Sequence, residues 1–433
     1  MFNTAGTNDN LDQNGFLLYE FRQSGVHPPI SIEEIESMTA AIPPSSCMGP
    51  MWHTVLAVNP RPPTSSGGGR VMSFGVAAII ILALLLPNAL HFILILLGAA
   101  SSYRKKKFAF SEINSITVVI PTRDEEVLIR KKLENVKKIS AVVDSVSVVM
   151  YDCSEDKTAE IAIQFIKEEG LTDSWKVIEN CEIGKSNSVR RAIGEIDSEV
   201  MILTDADSVV DEHAFRDLLK TLSRVDVTAV CGIDSGDMSI YRRISNWIRI
   251  SESNVGATVV FEGSLCGFKM SHLDLDSIDV RRNADDSQLA VSSQRNGGKS
   301  LFVKECTFKD MEEVVNSRER KVRRAQGLVR HLMKEMMDSN NSILIRLVAT
   351  FNLHLYAIMP IALLLAFVTT TGVVYGFFDG PHFQGLNSTY LMVLSGSLFL
   401  IIANGALSVY SAMLKMIVGR DLSIWRPMRE SSD

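Results

Sequence analysis

The sequence predicts an α/β domain with a mostly parallel sheet, joined to three membrane-spanning helices. Three observations carry that expectation. Between Phe108 and Asn341, short apolar runs alternate with helix-periodic stretches, the order that builds parallel strands with helices on both faces. Three long uncharged blocks lie outside this region, one before it and two after it. Within it, the apolar run Met201-Ile202-Leu203 leads straight into Thr204-Asp205-Ala206-Asp207, two carboxylates spaced by one residue.

Residues 1–70 hold eight of the chain's 13 prolines and the run Gly67-Gly68-Gly69, a composition that cannot bury a core and is expected to be disordered. No signal-peptide pattern stands at Met1, and Met72 offers an alternative start. Residues 71–103 make the first membrane unit. There Gly75 to Ala100 runs 26 residues without a charge, about 39 Å as a helix against roughly 30 Å of hydrocarbon. Pro87 and His91 are expected to kink this helix or to meet neighbouring ones. Arg104-Lys105-Lys106-Lys107 follows at once and sets the next domain, residues 104–341, in the cytoplasm.

That domain reads as strand Ile116–Ile120, helix Glu125–Ile139, strand Val146–Met150, helix Thr158–Glu169, strand Trp175–Ile178, helix Ser186–Ile193 and strand Val200–Thr204. Residues 342–418 carry the other two spans. Leu347 to Phe378 is uncharged for 32 residues, more than one crossing needs, and Pro360 is its natural divider. After a loop at Asp379–Thr389, Tyr390 to Leu414 is the third span, followed by a cytoplasmic tail at residues 419–433 with Arg420, Arg426 and Arg429. An integral membrane protein follows, N-terminus outside and C-terminus inside.

The net charge of -6 argues against a general nucleic-acid binder. Six scattered cysteines without a C-x-x-C pair fit reduced thiols better than a disulfide framework or a zinc site.

In open α/β sheets ligands sit beyond the carboxyl ends of the strands. Alternation puts Asp205 and Asp207 on one side of an extended chain, where both can face one hard cation, Mg²⁺ or Mn²⁺, shared with substrate phosphates. A solvated acidic pair is the plainer alternative. Strand Ile116–Ile120 runs into Pro121-Thr122-Arg123-Asp124-Glu125-Glu126, where free N–H groups at a helix start suit a nucleoside or phosphate, unless the acids simply favour the helix end. Asp152, at the end of Val146–Met150, can accept from a base N–H or a ribose hydroxyl, whereas Asp156 reads as a helix cap. Arg318 to Lys334 is strongly basic with an apolar stripe of Val322, Leu328, Val329 and Leu332. It suits an anionic membrane surface, or, through Arg323 or Arg324, a leaving diphosphate.

In order and spacing, VVIPTRDEE, DCSEDKT, IGKSNSVRRAIG and LTDADS resemble the family 2 inverting glycosyltransferases of the GT-A fold. The resemblance spans roughly Ile116 to Lys334. It continues in the glycine-containing Phe261–Phe268 stretch, which is similar to the family's acceptor-side strand, and in Asp285-Asp286-Ser287-Gln288-Leu289-Ala290, which is similar to its E-D-x-x-L-A helix start. The resemblance implies a Rossmann-like sheet, a UDP- or GDP-sugar donor, Mg²⁺ or Mn²⁺, and a lipid-linked or glycan acceptor. Thr122 and Asp152 would then hold the nucleoside, with Glu125 in the same donor site, and Lys185 would lie near the base or diphosphate. Asp205 and Asp207 would meet ribose and metal, and Asp286 would be the catalytic base. Asp285 beside it would raise its pKa by like-charge repulsion; the alternative is that the pair only caps the helix. This chain lacks the Q-x-x-R-W of the family's processive synthases, which sets it apart from cellulose and hyaluronan synthases.

Two other readings share these residues. A haloacid-dehalogenase-like phosphatase would use Asp205 as nucleophile and Asp207 as acid/base, but it leaves the earlier motifs and the membrane spans without a task. A nucleotide-sugar-binding membrane protein without turnover would carry the same motifs.

Overall fold

The computed structural model describes residues 74–101, 109–143, 145–179, 182–236, 239–311, 318–374 and 386–419. The proline-rich tail, the Arg104–Lys107 cluster, most of the Asp379–Thr389 loop and the C-terminal tail lie outside the described residues.

Helix α1 (Phe74–Ser101) leads into β1 (Ile116–Thr122), α2 (Ile129–Ser140), β2 (Val146–Asp152), α3 (Thr158–Glu168), β3 (Trp175–Ile178), α4 (Lys185–Glu195) and β4 (Val200–Leu203). Then come β5 (Ser208–Val210), α5 (Glu212–Leu222), β6 (Val227–Asp234), α6 (Ile240–Asn254), β7 (Cys266–Lys269), α7 (Asp285–Arg295) and β8 (Lys299–Asp310). Four helices close the described chain: α8 (Arg318–Met337), α9 (Ile343–Ala357), α10 (Met359–Val374) and α11 (Leu386–Ile417).

The strands form one sheet in the order β3-β2-β1-β4-β7-β6-β8-β5. β1 through β4 are all parallel, as expected where a helix returns the chain between strands. The second half is mixed. β7 runs antiparallel to both β4 and β6, β8 is parallel to β6, and β5 is antiparallel to β8. The reason lies in α6. It does not cross back over the sheet but packs on α1, so the chain re-enters the sheet from the end at which it left. The expected strand at Phe261–Phe268 therefore shrinks to Cys266–Lys269, and the preceding residues form a buried irregular wall.

All seven residues of β1 are buried. Val118 and Ile120 pack with Leu133, Phe165 and Phe215 on one face, while Val119 packs with Val189, Phe268 and Leu289 on the other. Two covered faces explain why the strand reads as a continuous apolar run. Each such side chain contributes about 1.5–3 kcal/mol.

Helix α2 begins at Ile129, four residues after the expected start. Asp124 takes a left-handed backbone conformation (φ 52°), and side chains of the next loop bind the free N–H groups. Ser154 Oγ accepts from Asp124 N (2.8 Å), Thr158 Oγ1 from Glu125 N (2.7 Å) and Asp156 Oδ2 from Glu126 N (3.2 Å). The two loops are stitched together, and the N–H groups expected to receive a phosphate are already engaged.

Residues Ala78–Ser101 of α1, with a mean hydropathy of 2.6, form a helix long and apolar enough to cross a membrane. α9 and α10 pass that test only as a pair bent by 46° at Ile358, two residues before Pro360, and the two halves of α11 likewise only as a bent pair. The apolar stripe of α8 faces protein: Leu332 packs with α9, and Val322 and Val329 with α11.

Inside α1, His91 Nε2 lies 2.7 Å from Glu252 Oε1 of α6, which also accepts from Asn352 Nδ2 of α9 at 2.7 Å. One helical turn or two beyond, α1 touches α6 at Gly98, where a Cβ would strike the Ser251 backbone carbonyl. Gly98→Ala is therefore expected to cost about 1–3 kcal/mol and to lower the thermal midpoint in detergent. An unchanged midpoint would contradict the close approach.

Candidate active site

The carboxyl ends of β1, β4 and β6, the start of α7 and the first turns of α8 enclose a cleft of about 360 Å³. Glu125, Lys185, Asp205, Asp207, Asp286, Arg323 and Arg324 all line it. Seven residues singled out across 200 positions of sequence thus converge on one space.

Lys185, at the first position of α4, is the hub. Its Nζ lies 2.6 Å from Asp205 Oδ1 and 3.8 Å from Asp285 Oδ2. Burial disfavours its charge, but Asp205, Asp285 and Asp286 more than offset that and hold its pKa above the lysine range. Burial likewise opposes the charge on Asp205, and Lys185 outweighs it, keeping that carboxyl below its usual range. Asp286 goes the other way. Burial first, then the charge of Asp285, raise it to about 7, against the pull of Lys185. Its Oδ1 accepts from Ser287 N at 2.7 Å, as an acid in the first turn of a helix should.

Gly263 keeps this cluster open. A Cβ there would run into Lys185 Nζ and come 3.2 Å from Asp286 Oδ2. The glycine is the only residue type that leaves room for both side chains in their present positions.

Thr122 and Asp152 are not in this cleft. Both are buried, and Thr122 Oγ1 donates to Asp152 Oδ1 at 2.7 Å. Asp152 also accepts from Ser154 N and Oγ, and it borders a second, acidic depression with Glu126, Glu155 and Glu179. Asp156 accepts from Thr158 N at 2.9 Å, the capping role expected of it.

Several cleft residues were not singled out in the sequence. Asp310, at the end of β8, sits across the ladder from Ser208, and Met311 N donates to the Asp207 carbonyl at 2.8 Å. Burial and the Asp207 carboxylate raise Asp310 to about 6. Glu262, Arg242 and Arg249 form the opposite wall. Burial works against the Glu262 charge, but Arg249 and Arg242 keep its carboxyl below the usual range. Strand-end position was the available signal for Asp310; none marked the arginines.

Among the described residues, no three His, Cys, Asp or Glu side chains converge tightly enough to hold a metal ion alone. The oxygen donors of Asp205 and Asp207 nevertheless fit Mg²⁺ or Mn²⁺, which bind through one or two carboxylates and leave other positions to phosphate and water. Among the described residues, Cys153, Cys231, Cys266 and Cys306 are free thiols.

Behind the D-x-D turn lies Lys132 of α2, fully buried. Its Nζ donates to Thr204 Oγ1 at 2.7 Å and to the Ser208 carbonyl at 2.8 Å, bridging the residues that flank Asp205 and Asp207. The lysine supports the turn from within the core.

Residues 117–266 match the family model described as Glycosyl transferase family 2. This stretch is a family 2 glycosyltransferase domain. Protein RfbJ of Shigella flexneri is 25% identical over 133 residues, 30% of this chain and 94% of that protein. The solved mannosyltransferase PcManGT of Pyrobaculum calidifontis, in complex with GDP-Man and Mn²⁺, superposes with a TM-score of 0.63 at 22% identity. That match covers 79% of this chain and 99% of the other. The GT-A fold of the glycosyltransferase domain is thereby established.

Burial lowers the Lys132 pKa to about 7 from 10.5. The folded state therefore binds fewer protons than the unfolded state between these values. Stability conferred by the neutral amine is full above about pH 10 and is lost as pH falls towards 7, at up to about 1.4 kcal/mol per pH unit. Lys132→Met is expected to remove that slope, measured as the difference between the two proteins' denaturant midpoints from pH 7 to 10. It should also cost about 1–3 kcal/mol at the alkaline end by orphaning the Ser208 carbonyl. Parallel stability profiles would refute the assignment.

Proposed function

We propose that the protein is a membrane-anchored, metal-dependent, inverting glycosyltransferase that moves a sugar from a UDP- or GDP-sugar to a lipid-linked or glycan acceptor. The observation that carries this reading is the cluster around Gly263. There the D-x-D carboxylate Asp205, the Lys185 ammonium and Asp286 meet at one point of the cleft. The complex of the P. calidifontis enzyme with GDP-Man and Mn²⁺ supports a nucleotide-sugar donor and a divalent cation here.

When bound, Mg²⁺ or Mn²⁺ supplies positive charge against the diphosphate as it leaves. In this mechanism Asp207 and Asp205 hold the cation. Lys185 fixes Asp205 in position and faces the donor. Arg323 and Arg324, on α8, offer guanidinium groups to the departing diphosphate; Arg324 is near enough to Asp205 and Asp310 to favour their charged forms. Glu125 borders the donor end of the cleft. Thr122 and Asp152 act from below it, by holding the loops after β1 and β2 together rather than by lining the cleft. Asp286 takes the proton from the acceptor hydroxyl. The hydroxyl oxygen forms its bond to the anomeric carbon from the face opposite the diphosphate, the glycosidic bond to the diphosphate breaks, and the nucleoside diphosphate departs. A carboxyl raised to about 7 by burial and by Asp285 is a stronger base than an ordinary carboxylate.

In the membrane, α1 is the first span, with the α9–α10 pair and α11 as two bent ones. The glycosyltransferase domain, residues 104–341, then faces the cytoplasm, with the N-terminus outside and the C-terminus inside. A reporter fused after Asp433 should be cytoplasmic; an external one would break this arrangement.

Asp286→Asn keeps the shape of the side chain and an oxygen for Ser287 N but cannot accept a proton. Donor affinity should stay near the wild-type value while transfer falls about 10²–10⁴-fold. The wild-type kcat/KM should rise with pH and level off above about 7, following Asp286. Unchanged transfer in Asp286→Asn would remove it from the chemistry. Hydrolysis of phosphomonoesters in place of sugar transfer would favour the phosphatase reading.

A further inference from the structure

Helix α6 has two faces with opposite chemistry. Arg242, Asn246 and Arg249 recur at helical spacing, and both arginines line the cleft. On the other side Ile240, Tyr241, Ile244 and Trp247 are 65%, 42%, 46% and 39% exposed. These exposed apolar side chains continue the surface of α1. The rings of Trp247 and Phe92 lie 6.2 Å apart, and Phe92 belongs to the stretch long and apolar enough to cross a membrane. The helix is therefore tied to the last turns of that stretch, by Glu252 to His91 and by Ser101 Oγ to the Asn254 carbonyl. An amphipathic helix with a tryptophan on its apolar face belongs in the interfacial layer of a bilayer.

The cleft side of α6 carries one buried donor that the protein leaves unused, Arg249 Nε. Arg242 and Arg249 both pair with Glu262 Oε1, and Arg242 also reaches Asp234 Oδ2 at 3.3 Å. Buried with them, Arg249 Nε, Asn246 Oδ1 and Glu262 Oε2 have no hydrogen-bond partner. A guanidinium with an uncommitted N–H in a cleft is matched to a phosphate oxygen. The neighbouring residue in sequence is Gly263, whose open space borders Lys185 and Asp286. One peptide unit, about 3.8 Å between Cα atoms, thus separates the residue that gathers the arginines from the one that borders the reactive cluster.

We propose that the acceptor is a lipid of the bilayer that carries both a phosphate and a free hydroxyl: Arg242 and Arg249 hold the phosphate, α6 seats the lipid at the membrane surface, and the hydroxyl meets Asp286. This inference rests on the glycosyltransferase reading of the cleft and narrows its acceptor to a phosphate-bearing lipid. The arginines lie on the same helix as the membrane-facing stripe, so a headgroup can enter the cleft while its chains stay in the bilayer.

The test uses the full chain in neutral detergent micelles, with dodecyl phosphate as probe and inorganic phosphate as the water-borne comparison. Binding is titrated calorimetrically, and nucleoside diphosphate with Mn²⁺ is titrated against every variant. Dodecyl phosphate should bind at least about tenfold tighter than inorganic phosphate, and binding should persist with nucleoside diphosphate and Mn²⁺ present. Arg249→Lys keeps the charge against Glu262 but loses the planar fork. It should weaken dodecyl phosphate about tenfold and leave nucleoside diphosphate binding unchanged. If Arg249→Lys fails to fold, the double variant Ile244→Gln, Trp247→Gln carries the test: it should weaken dodecyl phosphate and leave inorganic phosphate as it was. Equal affinity for the two phosphates, displacement of dodecyl phosphate by nucleoside diphosphate, or indifference to these substitutions would overturn the proposal. In each case retained nucleoside diphosphate and Mn²⁺ binding would leave the glycosyltransferase reading standing. Loss of that binding in the wild-type protein would instead bring down the reading itself.

Discussion

Nine carboxylates and five cationic side chains line one cleft, and the surrounding architecture answers to that imbalance. Carboxylates this close repel, and burial makes each charge more expensive. The protein relieves part of the strain internally. Lys185 stands among Asp205, Asp285 and Asp286, and Arg242 and Arg249 converge on Glu262. Burial first, and the neighbouring carboxylates after it, push two carboxyls upward, Asp286 and Asp310. On the proposed mechanism these residues have separate uses. The surplus charge near Asp207 calls for a cation, and the raised Asp286 supplies a base.

Such a cluster needs rigid supports, and most of them lie out of sight. The parallel half of the sheet delivers Asp205 at the end of a strand buried on both sides. Lys132 then pins the turn that carries the D-x-D from behind. The mixed half has a different task. Because α6 stays at the cleft end instead of crossing the sheet, it joins this wall of the cleft to α1 through Glu252 and Gly98. Attachment to the apolar helix and formation of the cleft are therefore one packing problem rather than two.

Much of this was legible in the sequence, because the signals were local. Strands β1 to β4 each appear as an apolar run ending in a polar turn, and the D-x-D, Lys185 and Asp286 sit within short recognisable stretches. The start of α2 was misjudged because side chains from another loop capture the backbone N–H groups after Asp124. That contact joins positions thirty residues apart and leaves no periodic trace. The stripe on α8 was read correctly as apolar, but α9 and α11 cover it, and periodicity alone cannot say what lies opposite. In the sequence nothing distinguishes Lys132 from its basic neighbours Arg130, Lys131, Lys137 and Lys138. Its burial follows from tertiary packing, as does the meeting of Arg242 and Arg249 with Glu262.

The central claim is that the cleft's surplus charge is completed by a cation and a nucleoside diphosphate acting together. The most direct measurement is a paramagnetic-resonance titration of Mn²⁺ into the purified full-length protein, with and without nucleoside diphosphate. The account predicts that each ligand tightens the other by the same factor, as linkage requires, by at least about tenfold, and that Asp207→Ala abolishes the coupling. Mn²⁺ that binds equally well without nucleotide, or a nucleotide affinity indifferent to chelation of the metal, would contradict it.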